Sequence, residues 1–166
     1  MNNERVLGID PGTAIVGWGM VEGGGQELRL MEYGVLRTPA HMPLSERLVI
    51  LYDGIHQLIE QYQPHGVGVE QLFFARNVTT ALPVAHARGV ILLALQQAGI
   101  PMREFTPMEI KQAITGYGRA DKHQMQQMVR LLLGLESIPR PDDAADAVAV
   151  ALCYHQTAAF GRLAEL

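Results

Sequence analysis

Apolar and polar positions recur along this chain with two periods. Residues 5–10 (RVLGID) form a short apolar run that ends on Asp10 and is broken by Pro11-Gly12, a strand leading into a turn. Residues 15–21 (IVGWGMV) predict a second strand with interior glycines, EGGGQ a hairpin turn, and residues 28–37 (LRLMEYGVLR) a third strand. The period then changes. Leu44, Leu48, Leu51, Ile55, Leu58, Ile59 and Tyr62 recur at steps of three and four, which predicts an amphipathic helix over 44–62, ended by Pro64. Residues 66–70 (GVGVE) predict another strand. Residues 79–98 are apolar almost all round and stop at Gly99, so this helix is expected to be covered on several sides or to lie at a subunit interface. A strand over 101–105, a short helix over 107–114, the loop GYGRADK with Asp121 as a cap, a helix over 122–133 and a last helix from Asp142 to about Ala158 complete the order βββαβαβααα. No repeat, linker or low-complexity segment interrupts it. The order predicts one α/β domain over residues 1–166, a five-stranded mixed sheet flanked by helices.

Composition agrees with that reading. Hydrophobic residues make up 48% of the chain and charged residues 18%, which supplies a core and excludes a disordered or collagen-like chain. Cys153 is the one cysteine, so an intrachain disulfide and a cysteine-based zinc site are excluded and a reducing, cytoplasmic setting is expected. MNNERVLGID does not read as a signal peptide, and no stretch approaches the ~20 apolar residues of a membrane span, so no membrane partner is expected.

The net charge of −4 weighs, as an average, against a nucleic-acid partner. The charge is unevenly spread. Residues 1–70 carry Arg5, Arg29, Arg37 and Arg47 against nine acids. Residues 71–140 carry eight basic residues against four acids, and residues 141–166 carry Arg162 against Asp142, Asp143, Asp146 and Glu165. A basic middle between acidic ends is either a solvated surface or a cationic binding face beside a separate acidic site.

Four carboxylates decide between these. Asp10 and Glu70 each terminate an apolar strand; Asp143 and Asp146 lie in PDDAADA at the start of the last helix. Taken singly, Asp10 is explained as a turn residue, and Asp142 or Asp143 as a helix cap favoured by the dipole. Together they say more. A spacing of three puts Asp143 and Asp146 on one helix face, and the alanines around them allow close packing on a sheet. Four carboxylates at close range do not all stay ionised without a cation. Hard oxygen donors without a companion cysteine favour Mg²⁺, or Mn²⁺, over zinc, and four of them suit two-metal phosphodiester chemistry.

At this point GIDPGT (8–13), GVEQLFFARN (68–77), ARGV (87–90), KQAITGYGRADK (111–122), MVRLLLGL (128–135) and DDAADAVAVAL (142–152) resemble the RuvC family of bacterial Holliday junction resolvases, collinearly over about residues 6–158. The resemblance implies an RNase H-like fold, a homodimer and Mg²⁺-dependent resolution of four-way DNA junctions by paired symmetric nicks, leaving 5′-phosphate and 3′-hydroxyl ends. It makes Asp10, Glu70, Asp143 and Asp146 the metal-binding catalytic acids with two ions per site. The family sometimes carries histidine at the position of Asp143. Lys111 and Lys122, the only lysines of the chain, match the family's two lysines near the scissile phosphate. The resemblance also suggests coupling to a branch-migration motor complex.

Further DNA contacts are expected from Phe73, Phe74, Arg76 and Asn77, where aromatics beside a cation suit stacking on splayed bases, and from Arg119 in the 116–122 loop. Arg88, on an otherwise apolar helix, suits either DNA or an interface pair. Two paired nicks need two sites, which a C₂ dimer supplies, and the 79–98 helix is the best candidate for its interface. A sugar-kinase or actin-like ATPase would need a second D-x-G-T half, which the sequence lacks. Another RNase H-like nuclease, or a non-catalytic junction-binding module, is separated from a resolvase by cleavage of a synthetic four-way junction.

Overall fold

The computed structural model describes residues 3–24, 27–71 and 78–164. Three strands open the chain: β1 (Glu4–Asp10), β2 (Ile15–Gly24) and β3 (Glu27–Arg37). Helix α1 (Leu44–Tyr62), β4 (Gly66–Glu70), α2 (Val78–Gln97) and β5 (Met102–Phe105) follow. The helices α3 (Pro107–Thr115), α4 (Lys122–Leu132) and α5 (Asp142–Ala164) close the fold. The order of elements is the one the periodicities predict. The last helix runs beyond the expected end near Ala158, since a single interior glycine, Gly161, costs a helix only about 1 kcal/mol.

The sheet order is β3-β2-β1-β4-β5. β1 pairs antiparallel with β2 and parallel with β4, and β5 is parallel to β4. The alternation of β1 divides the core between two faces. Leu7 and Ile9 join Leu51, Ile55 and Leu58 of α1 and Ala87, Ile91 and Leu95 of α2. Val6 joins Ile110 and Ile114 of α3, Val129 of α4, and Val148 and Leu152 of α5 on the other. Asp10 shares the face of Val6.

Strand glycines bring α5 down onto the sheet. A Cβ on Gly8 would run into the Ala147 carbonyl, one on Gly17 into the Asp143 carbonyl, and one on Gly19 into Val148. The facing residues Ala144, Ala147 and Ala151 are equally small and fully or almost fully buried. This close approach fixes the first turn of α5 beside the end of β1.

Helix α2 has two faces. Ala87, Ile91, Ala94 and Leu95 are buried, whereas Leu82 and Leu93 are 55% and 51% exposed on a stripe that also carries His86 and Gly89. Arg88 forms an ion pair with Glu104 of β5 within the chain. Among the described residues, no helix is long and apolar enough to cross a membrane.

Candidate active site

The parallel register of β1 and β4 pairs Ile9 with Val69, so Asp10 and Glu70 are the next residues on adjacent strands. The four residues before each carboxylate, 6–9 and 66–69, are buried. The Asp10 and Glu70 carboxyls therefore lie side by side, and each perturbs the other. Burial, then the neighbouring Glu70, then Asp146 and Asp143 push Asp10 up to about 9. Burial also raises Glu70, helped by Asp146 and opposed by its neighbour Asp10 and by Lys111 and Lys122. The chain leaving Asp10 is tied down: the Thr38 hydroxyl donates to the Thr13 carbonyl at 2.6 Å and accepts from Arg47 Nε at 2.8 Å.

Asp143 and Asp146 enter from α5. Burial raises Asp146 despite the opposing Lys122 ammonium, whose Nζ lies 3.4 Å from Asp146 Oδ2. Burial works against the Lys122 charge, but Asp146 and Asp142 outweigh it and hold the ammonium above the ordinary lysine range.

Two capped helices deliver the lysines. Thr106 and Glu109 form a reciprocal capping box on α3, which carries Lys111. Asp121 and Gln124 do the same for α4, which opens on Lys122. Asp121 is therefore the cap the sequence predicts. Glu70, Lys111, Lys122 and Asp146 line a cleft of about 300 Å³ whose apolar wall includes Ile110 and Val129. The cleft thus gathers two acids and two lysines over an apolar lining.

Asp10, Glu70, Asp143 and Asp146 lie in one neighbourhood, with Lys111 and Lys122 beside them. The resulting donors are all carboxylate oxygens, the set that suits a hard divalent cation. Among the described residues, no group of three or more Asp, Glu, His or Cys side chains is already gathered tightly enough to hold a metal ion. Arg119 is exposed in the loop before α4, near the exposed Tyr117. Phe73, Phe74, Arg76 and Asn77 lie outside the described residues.

Two residues differ from their sequence reading. Asp142, expected as a helix cap, has its carboxylate taken by side chains instead. Gln126 Nε2 donates to Oδ1 at 3.1 Å, Arg140 pairs with the same oxygen, and Lys122 Nζ lies 3.3 Å from Oδ2. In the first turn of α5 the Ala144 and Ala145 amides donate to the Pro141 carbonyl. Gln126 carries one signal in the sequence, its i,i+4 spacing from Lys122, which puts it on the same helix face. Arg88, for which DNA and an interface were both open, is committed to Glu104.

A family model described as "Crossover junction endodeoxyribonuclease RuvC" matches residues 6–154. A relative of that name from Chloroflexus aggregans is 61% identical over 154 residues, covering 93% of this chain and 94% of its own. Another from Thermomicrobium roseum is 57% identical over 162 residues, covering 98% and 97%. A solved structure titled "T. thermophilus RuvC in complex with Holliday junction substrate" superposes with a TM-score of 0.90 at 37% identity, covering 95% of this chain and 96% of that one.

Proposed function

The chain belongs to the RuvC family of crossover junction endodeoxyribonucleases, and from that premise we propose that it resolves Holliday junctions as a homodimer, through one RNase H-like nuclease domain over residues 1–166. Each protomer nicks one strand, and two symmetric nicks release two duplexes. The observation that carries the reading is the crowding of acids at the ends of β1 and β4. Burial and neighbouring carboxylates hold Asp10 at about 9. A site that stores such repulsion is relieved by divalent cations.

The donor set fits two Mg²⁺ ions, with Mn²⁺ as a substitute, since every candidate ligand is a carboxylate oxygen. Asp10, Glu70, Asp143 and Asp146 would hold them. When bound, such ions supply an activated water and stabilise the leaving oxygen, leaving 5′-phosphate and 3′-hydroxyl ends. The chain's own contribution is placement. β1 and β4 present Asp10 and Glu70 side by side from a buried sheet that cannot yield. α5 brings its carboxylates over the sheet through the glycine contacts. Lys111 and Lys122, on the cleft rim, hold the scissile phosphate as compact positive charges. Phe73, Phe74, Arg76, Asn77 and Arg119 are assigned to the junction strands, and the basic middle of the sequence to the phosphates.

The exposed α2 stripe of Leu82, His86, Gly89 and Leu93 supports a C₂ interface there, which places two sites on one junction. A DNA substrate and a single buried thiol, Cys153, support a cytoplasmic setting. Coupling to a branch-migration motor complex is carried by family membership. The test is a synthetic four-way junction with labelled arms and Mg²⁺. Paired nicks at symmetric positions are expected, and linear duplex should stay intact. Ready cutting of linear duplex without paired junction nicks overturns the resolvase reading.

A further inference from the structure

The site contains a carboxylate that the metal assignment leaves unused. Asp142 is held by two residues that line the cleft, Lys122 and Gln126, with its two oxygens divided. Oδ1 accepts from Gln126 Nε2 at 3.1 Å and pairs with Arg140, while Oδ2 faces Lys122 Nζ at 3.3 Å. Gln126 is only 7% exposed, so one oxygen of Asp142 is anchored from the packed side of α4 and the other is held toward the lysine. Lys122 also lies 3.4 Å from Asp146 and is 54% exposed, so its reach into the cleft depends on these two anions.

We propose that Asp142 is the positioning residue of Lys122, retaining the ammonium at the cleft when Asp146 is engaged by a divalent cation. The proposal rests on the reading of Asp146 as a metal ligand. A cation on Asp146 removes one of the two anions facing Lys122 and adds a like charge nearby, and the ammonium is then repelled. Asp142 is outside the proposed ligand set, and Gln126 and Arg140 fix its orientation. It is the anion that remains. Its role is to keep a positive charge beside the scissile phosphate without touching that phosphate itself.

Lys111 and Lys122 are the only lysines of the chain, so lysine acylation read by mass spectrometry carries its own reference. With an N-hydroxysuccinimide ester, the Lys122-to-Lys111 ratio in the wild-type chain should be nearly the same in Mg²⁺ and in EDTA. Asp142→Asn keeps an acceptor for Gln126 but loses the charge. It should raise the ratio in Mg²⁺ by about threefold, the scale of a partly exposed ion pair. If Mg²⁺ alone raises the wild-type ratio that far, or Asp142→Asn leaves it unchanged, the proposal is wrong.

Junction kinetics give the second readout. Asp142→Asn should lower kcat about fivefold while KM and junction binding in EDTA stay near wild type, and Asp142→Glu should restore part of the loss. Combined with Lys122→Gln, it should lower kcat no further than Lys122→Gln alone. Multiplied losses would show that the two residues act independently and overturn the proposal. A wild-type chain that does not nick junctions would overturn the function reading. The acylation comparison would still decide whether Asp142 holds Lys122.

Discussion

The backbone carbonyl of Asp143 occupies the place where a side chain on Gly17 would begin. Gly17 is the register partner of Asp10 across the β1–β2 ladder, so one glycine fixes how close α5 comes to the first carboxylate. Gly17→Ala should lift the start of α5. The expected loss is about 1–3 kcal/mol of stability in chemical denaturation, the usual cost of overpacking. Cleavage should fall more than stability explains, measured on fully folded protein, because Asp143 and Asp146 move away from Asp10 and Glu70. Full activity in a folded Gly17→Ala variant would refute this account of α5.

The raised Asp10 carboxyl makes stability depend on pH in a definite direction. Its folded value is about 9 against an ordinary 3.8. Between those values the folded chain keeps a proton that the unfolded chain gives up. The stability this confers is complete below about pH 4 and is lost as pH rises toward 9. In EDTA the melting temperature should therefore fall between about pH 5.5 and 8, with roughly 2–4 °C for each 1 kcal/mol in a chain of this size. Mg²⁺ should restore it more at pH 8 than at pH 5.5. Asp10→Asn should flatten both dependences, and an unchanged pH slope in that variant would count against Asp10 as the source.

Much of this was legible in the sequence. Apolar runs, helical periods and turn signals predict every element, and the carboxylates stand out because Asp10 and Glu70 end apolar runs. The juxtaposition of Asp10 with Glu70 was not legible, because it depends on the parallel register of β1 with β4. Asp142 looked like a cap because its partners Lys122 and Gln126 lie on another helix, and only the packing of α4 against α5 joins them. Arg88 and Glu104 are 16 positions apart and belong to different layers, so no local pattern links them.

Asp146→Asn should abolish nicking in Mg²⁺ and leave junction binding in EDTA largely intact. The substitution removes a charge that burial already disfavours, so the fold should tolerate it or gain slightly. Gel-shift titration beside a cleavage assay checks this. Loss of binding in step with loss of cleavage would make Asp146 a structural residue.

Arg88 and Glu104 connect α2 to β5, and both are partly buried. Arg88 Nε is buried without a hydrogen-bond partner, so the guanidinium depends on Glu104 for its compensation. Glu104→Ala should cost about 2 kcal/mol, between the values for an exposed and a fully buried pair. Cleavage per folded molecule and the salt dependence of junction binding should not change. A reduced salt slope in Arg88→Ala would instead assign that arginine to DNA.

The dimer proposal turns on two leucines. Leu82 and Leu93 are 55% and 51% exposed on the outward stripe of α2, although the opposite stripe is buried in the core. Leaving both in water while Gly89 between them presents no side chain suits close approach of a second α2. Covering one leucine is worth about 1.5–3 kcal/mol at most. The pair Leu82→Glu and Leu93→Glu should therefore weaken association by about a hundredfold or more, adding charge repulsion across the two-fold axis to the lost burial. Equilibrium sedimentation measures it. The variant should fold normally, since neither side chain belongs to the core, and it should still nick a junction on single strands while losing paired cuts. A wild-type chain that sediments only as a monomer at micromolar concentration would sink the α2 interface, and with it the explanation of how one site per chain makes two symmetric nicks.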